Sequence, residues 1–267
     1  MSCLIDNQHP GPAIGVTFDG LGWGTDNTAW GGEFLVGDAS GFERSAYLAP
    51  VSMPGGTAAV NAPWRMAVAH LVAGFGDLPD VPMFSVHEAQ LASVVALSRS
   101  SASVTTSSMG RLFDAVAALC GVADTVSYEG QAAIGLEQLA ADSSDDVPGY
   151  EWNVDESSRI QVSSLIKAVY EDVIAGTDCA RIARRFHQSV ADLVNDTCVR
   201  LRESTGLSVV ALSGGVFQNR LLVELVVPRL TANGFIELRH GQVPPNDGGI
   251  SLGQVAIGRA HLDSLGA

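Results

Sequence analysis

Two glycine turns near the C-terminus constrain the fold most strongly. In the first, a run of β-branched and aliphatic residues at 209–212 meets Ser-Gly-Gly at 213–215, and leucines and valines at helical spacing follow from Leu221. The order predicts a strand, a tight turn and a helix. Such a turn bares backbone N–H groups at a helix N-terminus, where a phosphate or a ribose can approach the main chain.

The second turn repeats this arrangement about thirty residues later. Prolines at 244–245 end a strand-like segment, and Asn246 or Asp247 can cap the helix that continues through Leu252 and Val255. The glycines at 248–249 leave room beside the Asp247 carboxylate. Either turn alone is as often a plain strand–helix connection without a ligand. Two of them in one region favour a nucleotide cleft with a carboxylate at its mouth.

A third glycine-rich segment follows the first predicted strand, residues 13–18. It spans residues 19–26, carries a carboxylate at each end and leads into a second strand at 28–36. Asp19, at a strand end, is suited to hold a metal–phosphate through water or to orient a nucleophile. The alternative is a solvated hairpin in which Asp26 and Asn27 only turn the chain.

The middle of the chain is predicted to be helical. Residues 105–119 form a hydroxyl-rich cap that runs into a helix, in which Arg111 and Asp114 lie three residues apart. That pair either clasps a ribose or phosphate or forms a surface ion pair. Helices are also predicted over 132–141, over 160–174 and from an Asp178 cap, whereas the acidic run 142–158 is predicted to be a loop.

Composition excludes several classes of protein. The chain has 267 residues, 46% of them hydrophobic, which suffices for one large or two small domains. With 15 basic and 29 acidic residues the formal charge is −14, which argues against nucleic acid and anionic membranes as partners. The four cysteines form no CxxC pair, and no apolar run is long enough to span a bilayer. We therefore expect a soluble, cytoplasmic protein.

Taken in order, the motifs resemble the C-terminal, transferase-type domain of HypF, the carbamoyltransferase family of NiFe-hydrogenase maturation. The similar segments are FDGLGWGTD (18–26), WGGEF (30–34), TSSMGRLFDAVAAL (106–119), EGQAA (129–133), SGGVFQN (213–219) and VPPNDGG (243–249). They cover nearly the whole chain. The resemblance implies an α/β fold of the actin/hexokinase-like (ASKHA) type, mostly its second lobe with part of the first missing.

The resemblance also sets the expected domain organisation. Residues 1–267 would form one HypF-like domain, with 1–12 as a trimmed N-terminal edge. In the family, a segment with two metal-binding histidines lies just before the counterpart of residues 2–7, and this sequence has Met1 there. The acylphosphatase-like, zinc-finger and YrdC-like domains are not in this sequence either. We therefore expect a chain that is incomplete alone, with another HypF chain as a possible partner.

The family's chemistry implies a site. The family takes carbamoyl phosphate and ATP, forms carbamoyl adenylate and passes the carbamoyl group to the C-terminal cysteine of HypE. Asp19 and Asp247 would be catalytic, and Asp247 would bind a divalent metal such as Fe, Zn or Mg. The nucleotide would contact the loop and helix residues Gly20, Gly22, Gly24, Asp26, Arg111, Asp114, Glu129, Ser213, Gly214, Gly215 and Asn219.

Two other functions fit the same motifs. One is an O-carbamoyltransferase of the TobZ type, whose acceptor is a hydroxyl group on a small molecule. The other is a non-catalytic module that keeps the nucleotide loops and docks HypE or another partner. Under all three readings, a face that normally packs on the absent lobe would be exposed, so dimers or aggregates are expected of the isolated chain.

Overall fold

The computed structural model describes residues 1–143 and 147–265. The strands are β1 Ala13–Trp23, β2 Ala29–Asp38, β3 Gly41–Leu48, β4 Val51–Ser52, β5 Thr105–Thr106, β6 Asn153–Val154, β7 Arg159–Gln161, β8 Val209–Ser213 and β9 Ile236–Leu238. The helices are α1 Ser2–Asp6, α2 Thr57–Asn61, α3 Pro63–Phe75, α4 Glu88–Ser98, α5 Met109–Leu119, α6 Gln131–Ala141, α7 Ser163–Ile174, α8 Cys179–Thr205, α9 Arg220–Ala232 and α10 Ile250–Leu265. Short 3₁₀ turns occupy Pro82–His87, Gly215–Gln218 and Asp247–Gly249.

The strands of the described residues form one mixed sheet. Its main order is β6-β7-β3-β2-β1-β8-β9, and the short β5 pairs with β2 and β4. Strands β1, β2 and β3 form an antiparallel meander, whereas β8 and β9 run parallel to β1. Because β1 and β8 are parallel neighbours, their carboxyl ends and the turns that follow lie at the same edge.

One face of the sheet carries the main core. Ile14, Val16 and Phe18 alternate along β1 with full burial, and they belong to one apolar cluster with residues of α5 and α8. The Phe18 ring stacks on Phe217 with centroids 5.5 Å apart and meets Phe34 edge-on at 5.6 Å. This packing anchors the turn after β8 to the end of β1.

The opposite face of β1 and β8 is covered by the N-terminal segment. Cys3 and Leu4 of α1 form a smaller buried cluster with Ala13 and Ala211. Asn7 donates side-chain hydrogen bonds to the carbonyls of Cys3 and Arg239, both at 2.8 Å. Residues 1–12, predicted to be a trimmed edge, therefore pack on the sheet.

The first hairpin differs from its prediction. We expected β1 to end at Phe18 and the alternating glycines to form the turn, but β1 continues to Trp23. The turn is shorter: Gly24 N–H donates to the Thr28 carbonyl at 3.0 Å, and Asn27 adopts φ +63°. Gly20 and Gly22 are strand residues at a shift in the β1–β2 register between Phe18 and Gly22.

Two further predictions were wrong in detail. Residues 159–161 form β7, with Ile160 fully buried opposite Leu48, so the helix predicted from Ile160 begins at Ser163. Periodicity alone does not separate a short buried strand from the start of a helix. The predicted loop 142–158 contains β6, and its residues 144–146 lie outside the described residues.

No helix of the described residues is long and apolar enough to cross a membrane.

Candidate functional site

The two predicted C-terminal glycine turns contact each other beyond the carboxyl end of β8. Gly214, which follows β8, donates its backbone N–H to the carbonyl of Pro245 at 2.9 Å. Asn219 caps α9 through its side chain, and Asn246 accepts from Gly248 N–H at 3.1 Å at the start of the 3₁₀ turn Asp247–Gly249. Between the first turn and α9 lies a 3₁₀ segment, Gly215–Gln218, that periodicity did not indicate.

A cleft of about 600 Å³ opens beside these turns. Its wall combines apolar side chains with a ring of carboxylates, and the starts of α5 and α6 supply one side of it. The lining residues that matter here are Asp19, Gly20, Arg111, Asp114, Glu129, Ile134, Glu137, Gly215, Val216, Asn219 and Asp247. An apolar wall with a few convergent polar groups is typical of a small-molecule site.

A second cleft, of about 230 Å³, adjoins the first. The two clefts share Asp19, Asn246 and Asp247, which therefore stand at their junction. The smaller cleft is also lined by Thr17, Gly22, Trp30, Glu33, Ser213 and Gly214. Most of the predicted site residues thus border one connected space.

Asp19 lies at this junction with its carboxylate half-buried. Its Oδ1 accepts a hydrogen bond from Gly20 N–H at 2.8 Å, and the backbone of Gly215 faces the same carboxylate. Burial raises the pKa of Asp19, and the charges of Asp247 and Glu129 raise it further against those two hydrogen bonds. A cation between Asp19 and Asp247 would relieve the repulsion between their charges.

Close backbone contacts around Asp19 leave no room for a side chain at two glycines, Gly31 and Gly110. A Cβ at Gly31 would lie 2.5 Å from the Asp19 carbonyl oxygen, and one at Gly110 would lie 2.7 Å from the Cα of Gly20. Ser108, the N-cap of α5, brings its Oγ within 2.6 Å of the Asp19 carbonyl and 2.9 Å of the Gly20 carbonyl. Ser108 therefore holds the start of α5 against the second half of β1, in addition to the capping role that the sequence indicated.

Arg111 and Asp114 form a buried ion pair in the larger cleft. Their Nη1 and Oδ2 atoms are 2.6 Å apart, and each side chain is 6% exposed. Arg111 Nε also donates to the Gly20 carbonyl at 3.0 Å. Burial raises the pKa of Asp114 to about 6, although Arg111 acts in the opposite direction. The (i, i+3) ion pair that was one of the two alternatives therefore forms, but it is buried and lines the cleft instead of lying on the surface.

Asn219 is held from inside the protein. Its Oδ1 accepts from Leu222 N–H at 2.8 Å, and its Nδ2 is 3.0 Å from Nε2 of His187. His187, buried on α8, bonds the Ala183 carbonyl through Nδ1 at 2.8 Å. These bonds fix the amide at the wall of the larger cleft and leave its remaining N–H to face a ligand.

Gly24 and Asp26 do not join the other predicted residues. Asp26 Oδ1 accepts from Thr28 and from Trp30 Nε1 at 2.9 Å, and its Oδ2 pairs with Arg44 at 3.1 Å. The Arg44 guanidinium lies over the Trp30 ring, 4.0 Å from its centroid. Neither Gly24 nor Asp26 lines either cleft. Both serve the hairpin turn, as the alternative reading of this segment expected.

Glu33 is a site residue that the sequence reading passed over. It is 1% exposed in the smaller cleft, and its Oε2 accepts the backbone N–H of Gly31 and Gly32 at 2.5 and 2.7 Å. Arg44 binds its other oxygen at 2.8 Å, and Ser107 donates to the same oxygen. In the sequence, Glu33 was marked only as a carboxylate that follows two glycines. Its burial depends on Arg44 and Ser107, which lie 11 and 74 positions away along the chain.

The described residues contain no cluster of three or more His, Cys, Asp or Glu side chains that could hold a metal ion. Asp19 and Asp247 form a pair, each bordering both clefts. Two carboxylates suit a hard divalent cation that completes its shell with phosphate oxygens and water. They do not resemble the tetrahedral nitrogen and sulfur set of a structural zinc site.

Comparison with known proteins identifies relatives of this arrangement. Residues 15–254 match the family model described as "Carbamoyltransferase, Kae1-like Domain, second subdomain". The chain is 39% identical over 270 residues to carbamoyltransferase HypF of Rhodobacter capsulatus, covering 98% of this chain and 35% of that protein. It is 36% identical to a carbamoyltransferase HypF homolog of Cupriavidus necator, covering 92% of this chain and 65% of the homolog.

Solved structures give the same picture of the fold. The crystal structure of full-length HypF in its phosphate- and nucleotide-bound form superposes with a TM-score of 0.90 at 35% identity, covering 98% of this chain and 41% of that one. The structure of HypF from T. kodakarensis gives a TM-score of 0.87 at 29% identity, covering 98% and 36%. The predicted actin/hexokinase-like fold is confirmed. The chain spans about a third of the length of most of these curated relatives.

Proposed function

Because the chain belongs to the HypF carbamoyltransferase family, through its Kae1-like second subdomain, we propose that it binds carbamoyl adenylate and delivers the carbamoyl group to an acceptor. The observation that carries the proposal is the junction of the two clefts. Asp19 and Asp247 border both of them, and the two glycine turns adjoin the same point. A ligand with a nucleoside at one end and a small acyl group at the other fits two clefts of unequal size that meet at these carboxylates.

In this proposal the nucleoside occupies the larger cleft. Ile134 and Val216 offer apolar surface to the base, and the carboxylates of Glu129 and Asp114 face the ribose hydroxyls. The phosphate lies at the junction of the two clefts, where a cation held by Asp19 and Asp247 would neutralise its charge. The carbamoyl group extends into the smaller cleft. A full-length HypF was crystallised in a phosphate- and nucleotide-bound form, which supports a nucleotide as the kind of ligand.

The transfer step needs an activated carbonyl and a stable leaving group. A thiolate of the acceptor attacks the carbamoyl carbon, the bond from that carbon to the phosphate oxygen breaks, and AMP departs with the electron pair. The N–H of Gly214 bonds the Pro245 carbonyl and that of Gly215 faces the Asp19 carboxylate, so the charge that develops on the phosphate would be balanced by a divalent cation rather than by these amides. A divalent cation, when bound, would polarise the carbonyl.

Asp19 and Asp247 are the residues that would hold such a cation. Two carboxylates bind a hard cation weakly by themselves, so we propose that ligand oxygens complete the coordination shell. Metal and adenylate would then strengthen each other's binding. The identity of the metal, Fe, Zn or Mg, stays open in this proposal.

We propose the C-terminal cysteine of HypE as the acceptor and other HypF domains, on this or another polypeptide, as the source of the adenylate. Both follow from family membership, which associates the chain with proteins about three times as long. A TobZ-type enzyme would use a hydroxyl acceptor instead. Offering each acceptor to chain loaded with carbamoyl adenylate separates these alternatives, and a module that only binds would carbamoylate neither.

The first test is calorimetric titration with a non-hydrolysable carbamoyl-adenylate analogue, with and without divalent metal. We expect micromolar affinity with metal, and Asp247→Asn should weaken that affinity by about tenfold or more because the cation loses an anionic ligand. Without metal the variant should differ little from the unchanged chain.

Asp263→Asn on α10 is the matched control. It removes one carboxylate that, among the described residues, pairs only with Arg259, at 3.7 Å, on an exposed helix face. It should bind as the unchanged chain does. A folded chain that takes up no analogue under either condition would contradict the proposal, and so would equal weakening by the two variants.

A further inference from the structure

Two side chains of the larger cleft hold neighbouring N–H groups in the first turn of α9. Glu137 of α6 accepts the Leu221 N–H through Oε1 at 3.2 Å, and Asn219 accepts the Leu222 N–H through Oδ1 at 2.8 Å. The first N–H groups of a helix point the same way, out of its N-terminus. The carboxylate of Glu137 and the amide of Asn219 therefore lie side by side, and both residues line the larger cleft.

The bonds of Asn219 fix which hydrogens of its amide are used. Its Oδ1 is held by Leu222, so Nδ2 is the atom that lies 3.0 Å from Nε2 of His187. The Ala183 carbonyl, 2.8 Å from His187 Nδ1, can only accept, so that ring nitrogen carries a hydrogen. Burial lowers the pKa of His187 to about 4, so at neutral pH the ring is uncharged and Nε2 accepts. One Nδ2 hydrogen of Asn219 is thus used on His187, and the other remains as a donor.

Glu137 offers the opposite kind of group. Its Oε1 is taken up by Leu221, and in the described part of the chain nothing pairs with its Oε2. The carboxylate therefore keeps an accepting oxygen beside the donating nitrogen of Asn219. At this point of its wall the larger cleft carries a hydrogen-bond acceptor and a donor next to each other.

An apolar surface lies one turn before Glu137 on the same helix. Ala133 and Ile134 of α6 also line the larger cleft, as does Val216 of the first glycine turn. Residues three and four apart on a helix are neighbours on its surface, so Ala133 and Ile134 adjoin Glu137. A planar base that rests on these apolar side chains presents one edge to Glu137 and Asn219.

Adenine has an edge that complements this pair. Its 6-amino group donates hydrogen bonds, and the ring nitrogen beside that group accepts one. Guanine and hypoxanthine carry an oxygen at position 6 instead. That oxygen would face the carboxylate of Glu137, and two acceptors cannot form a hydrogen bond with each other.

We infer that Glu137 and Asn219 select adenine over 6-oxopurines, Glu137 by accepting from the 6-amino group and Asn219 by donating to the adjacent ring nitrogen. This inference rests on the proposed function and adds the base specificity of the same site. His187 is a positioning residue that keeps the Asn219 donor turned toward the base. The carboxylates at the junction of the clefts meet the phosphate end of the ligand, so they do not distinguish one base from another.

Calorimetry with two non-hydrolysable carbamoyl-nucleotide analogues of the same linkage tests the inference. One contains adenosine and the other inosine, whose base, hypoxanthine, has an oxygen in place of the 6-amino group. With divalent metal present, the unchanged chain should bind the adenosine analogue at least about tenfold more tightly, the scale of one lost hydrogen bond to a charged group. The ratio of the two affinities is the quantity to follow in the variants.

Glu137→Gln is the main variant, because it keeps the shape of the side chain. The Leu221 N–H holds the amide oxygen, so the new Nε2 donor faces the base and suits a 6-oxo group. The ratio should fall to about one or below. Glu203→Gln makes the same chemical change on the exposed C-terminal end of α8 and should leave the ratio as it is. A preference for adenosine that Glu137→Gln leaves intact would overturn the role of Glu137.

The role of His187 is tested by rescue. His187→Leu removes the acceptor that holds Asn219 Nδ2 and should lower the ratio severalfold. His187→Gln places an acceptor oxygen near the position of Nε2 and should restore most of it. If the two variants keep the ratio, or lose it to the same extent, His187 does not position the donor. Thermal unfolding of each variant shows that a changed ratio comes from folded protein.

The outcomes separate this inference from the proposed function. If the unchanged chain binds both analogues with equal affinity, base selection is overturned while nucleotide binding stands. If it binds neither analogue, the proposed function fails and this inference fails with it.

Discussion

Gly214 shows how single residues build the junction. The sequence suggested that its missing side chain makes room for a ligand. Its φ is +101°, and a Cβ there would collide with the carbonyl oxygen of Phe18 on the neighbouring strand. The glycine is needed first for the close approach of two backbones. Its N–H bond to Pro245 then fixes the second turn against the first.

Gly214→Ala should therefore be severely destabilising. It combines a left-handed backbone conformation with a collision against main-chain atoms, and we expect a loss of more than about 3 kcal/mol in the free energy of unfolding. Gly234→Ala is the control, because Gly234 has φ +75° with no atom within 4 Å of the added Cβ. It should cost only about 1–2 kcal/mol. Denaturant unfolding measures both, and equal losses would contradict the steric argument.

Asp114 should make the stability of the chain depend on pH. Its pKa is raised from 3.8 to about 6 in the folded protein. Between those values the folded state binds more protons than the unfolded state, so this group lowers the free energy of unfolding as pH rises from about 4 to about 6. Below the lower value and above the upper one its contribution is constant.

Asp114→Asn isolates this effect. The stability of the unchanged chain relative to the variant should fall by on the order of 2–3 kcal/mol between pH 4 and pH 6. Unfolding in denaturant at pH 4, 5, 6 and 7 gives the comparison. A difference that stays constant across this range would mean that Asp114 titrates normally in the folded protein.

At the scale of elements, α8 is the main support of the site. It has 27 residues, begins at the predicted Asp178 cap and ends at Gly206 in the left-handed conformation. The Asp178 side chain accepts from Ala180 N–H at 3.1 Å. From the middle of this helix His187 holds Asn219 at the cleft wall. The amphipathic spacing of apolar residues predicted this helix. Its contribution to the site, the contact of His187 with Asn219, could be seen only in the folded structure.

Removing the N-cap of α8 tests how much the capping hydrogen bond contributes to the stability of the whole chain. Asp178→Ala should lower the free energy of unfolding by about 1 kcal/mol, because the first turn of the helix loses a side-chain acceptor for the Ala180 N–H. Asp178→Asn retains an acceptor oxygen and should cost less than half as much. Thermal and denaturant unfolding both report the change. If the two variants behave alike, the charge of Asp178 rather than its cap bond is what stabilises the helix.

At the scale of the whole molecule, α10 leaves an apolar stripe on the surface. Val255, Leu262 and Leu265 are 70%, 69% and 71% exposed and lie on one side of the helix. Gly253 is the buried residue of α10 in the described chain, so the helix touches the rest of the protein lightly. An exposed apolar stripe of this kind favours association.

We therefore still expect the isolated chain to form dimers or larger assemblies at tens of micromolar. Val255→Glu with Leu262→Glu should shift it toward monomer, since charges on the stripe oppose its burial. Gln254→Glu with His261→Glu adds two carboxylates to a neighbouring side of α10 and serves as the control. Sedimentation velocity distinguishes the states. A single sharp boundary at the monomer's sedimentation coefficient for the unchanged chain would contradict this prediction.

The sequence determined the local structure and the family. Glycine turns, caps and periodic apolar residues are short-range signals, so the turn at 213–215, the cap Asp178 and the starts of α6, α8 and α9 could be predicted from neighbours along the chain. The order of six motifs was enough to identify the HypF family. The same signals misplaced the end of β1, which continues by pairing with β2, and the start of α7, where residues 159–161 pair with the distant β3.

Only the tertiary structure decided which side chains share the site. It joined Asp19 to Asp247 and paired Ser213 with His240. It also buried Glu33 and the Arg111–Asp114 pair, and it left Asp26 outside both clefts. Burial and hydrogen bonding between residues far apart in sequence depend on strand order and register, which no local pattern encodes. A carboxylate's pKa and its access to a ligand are set by those neighbours, because desolvation and nearby charges act through space.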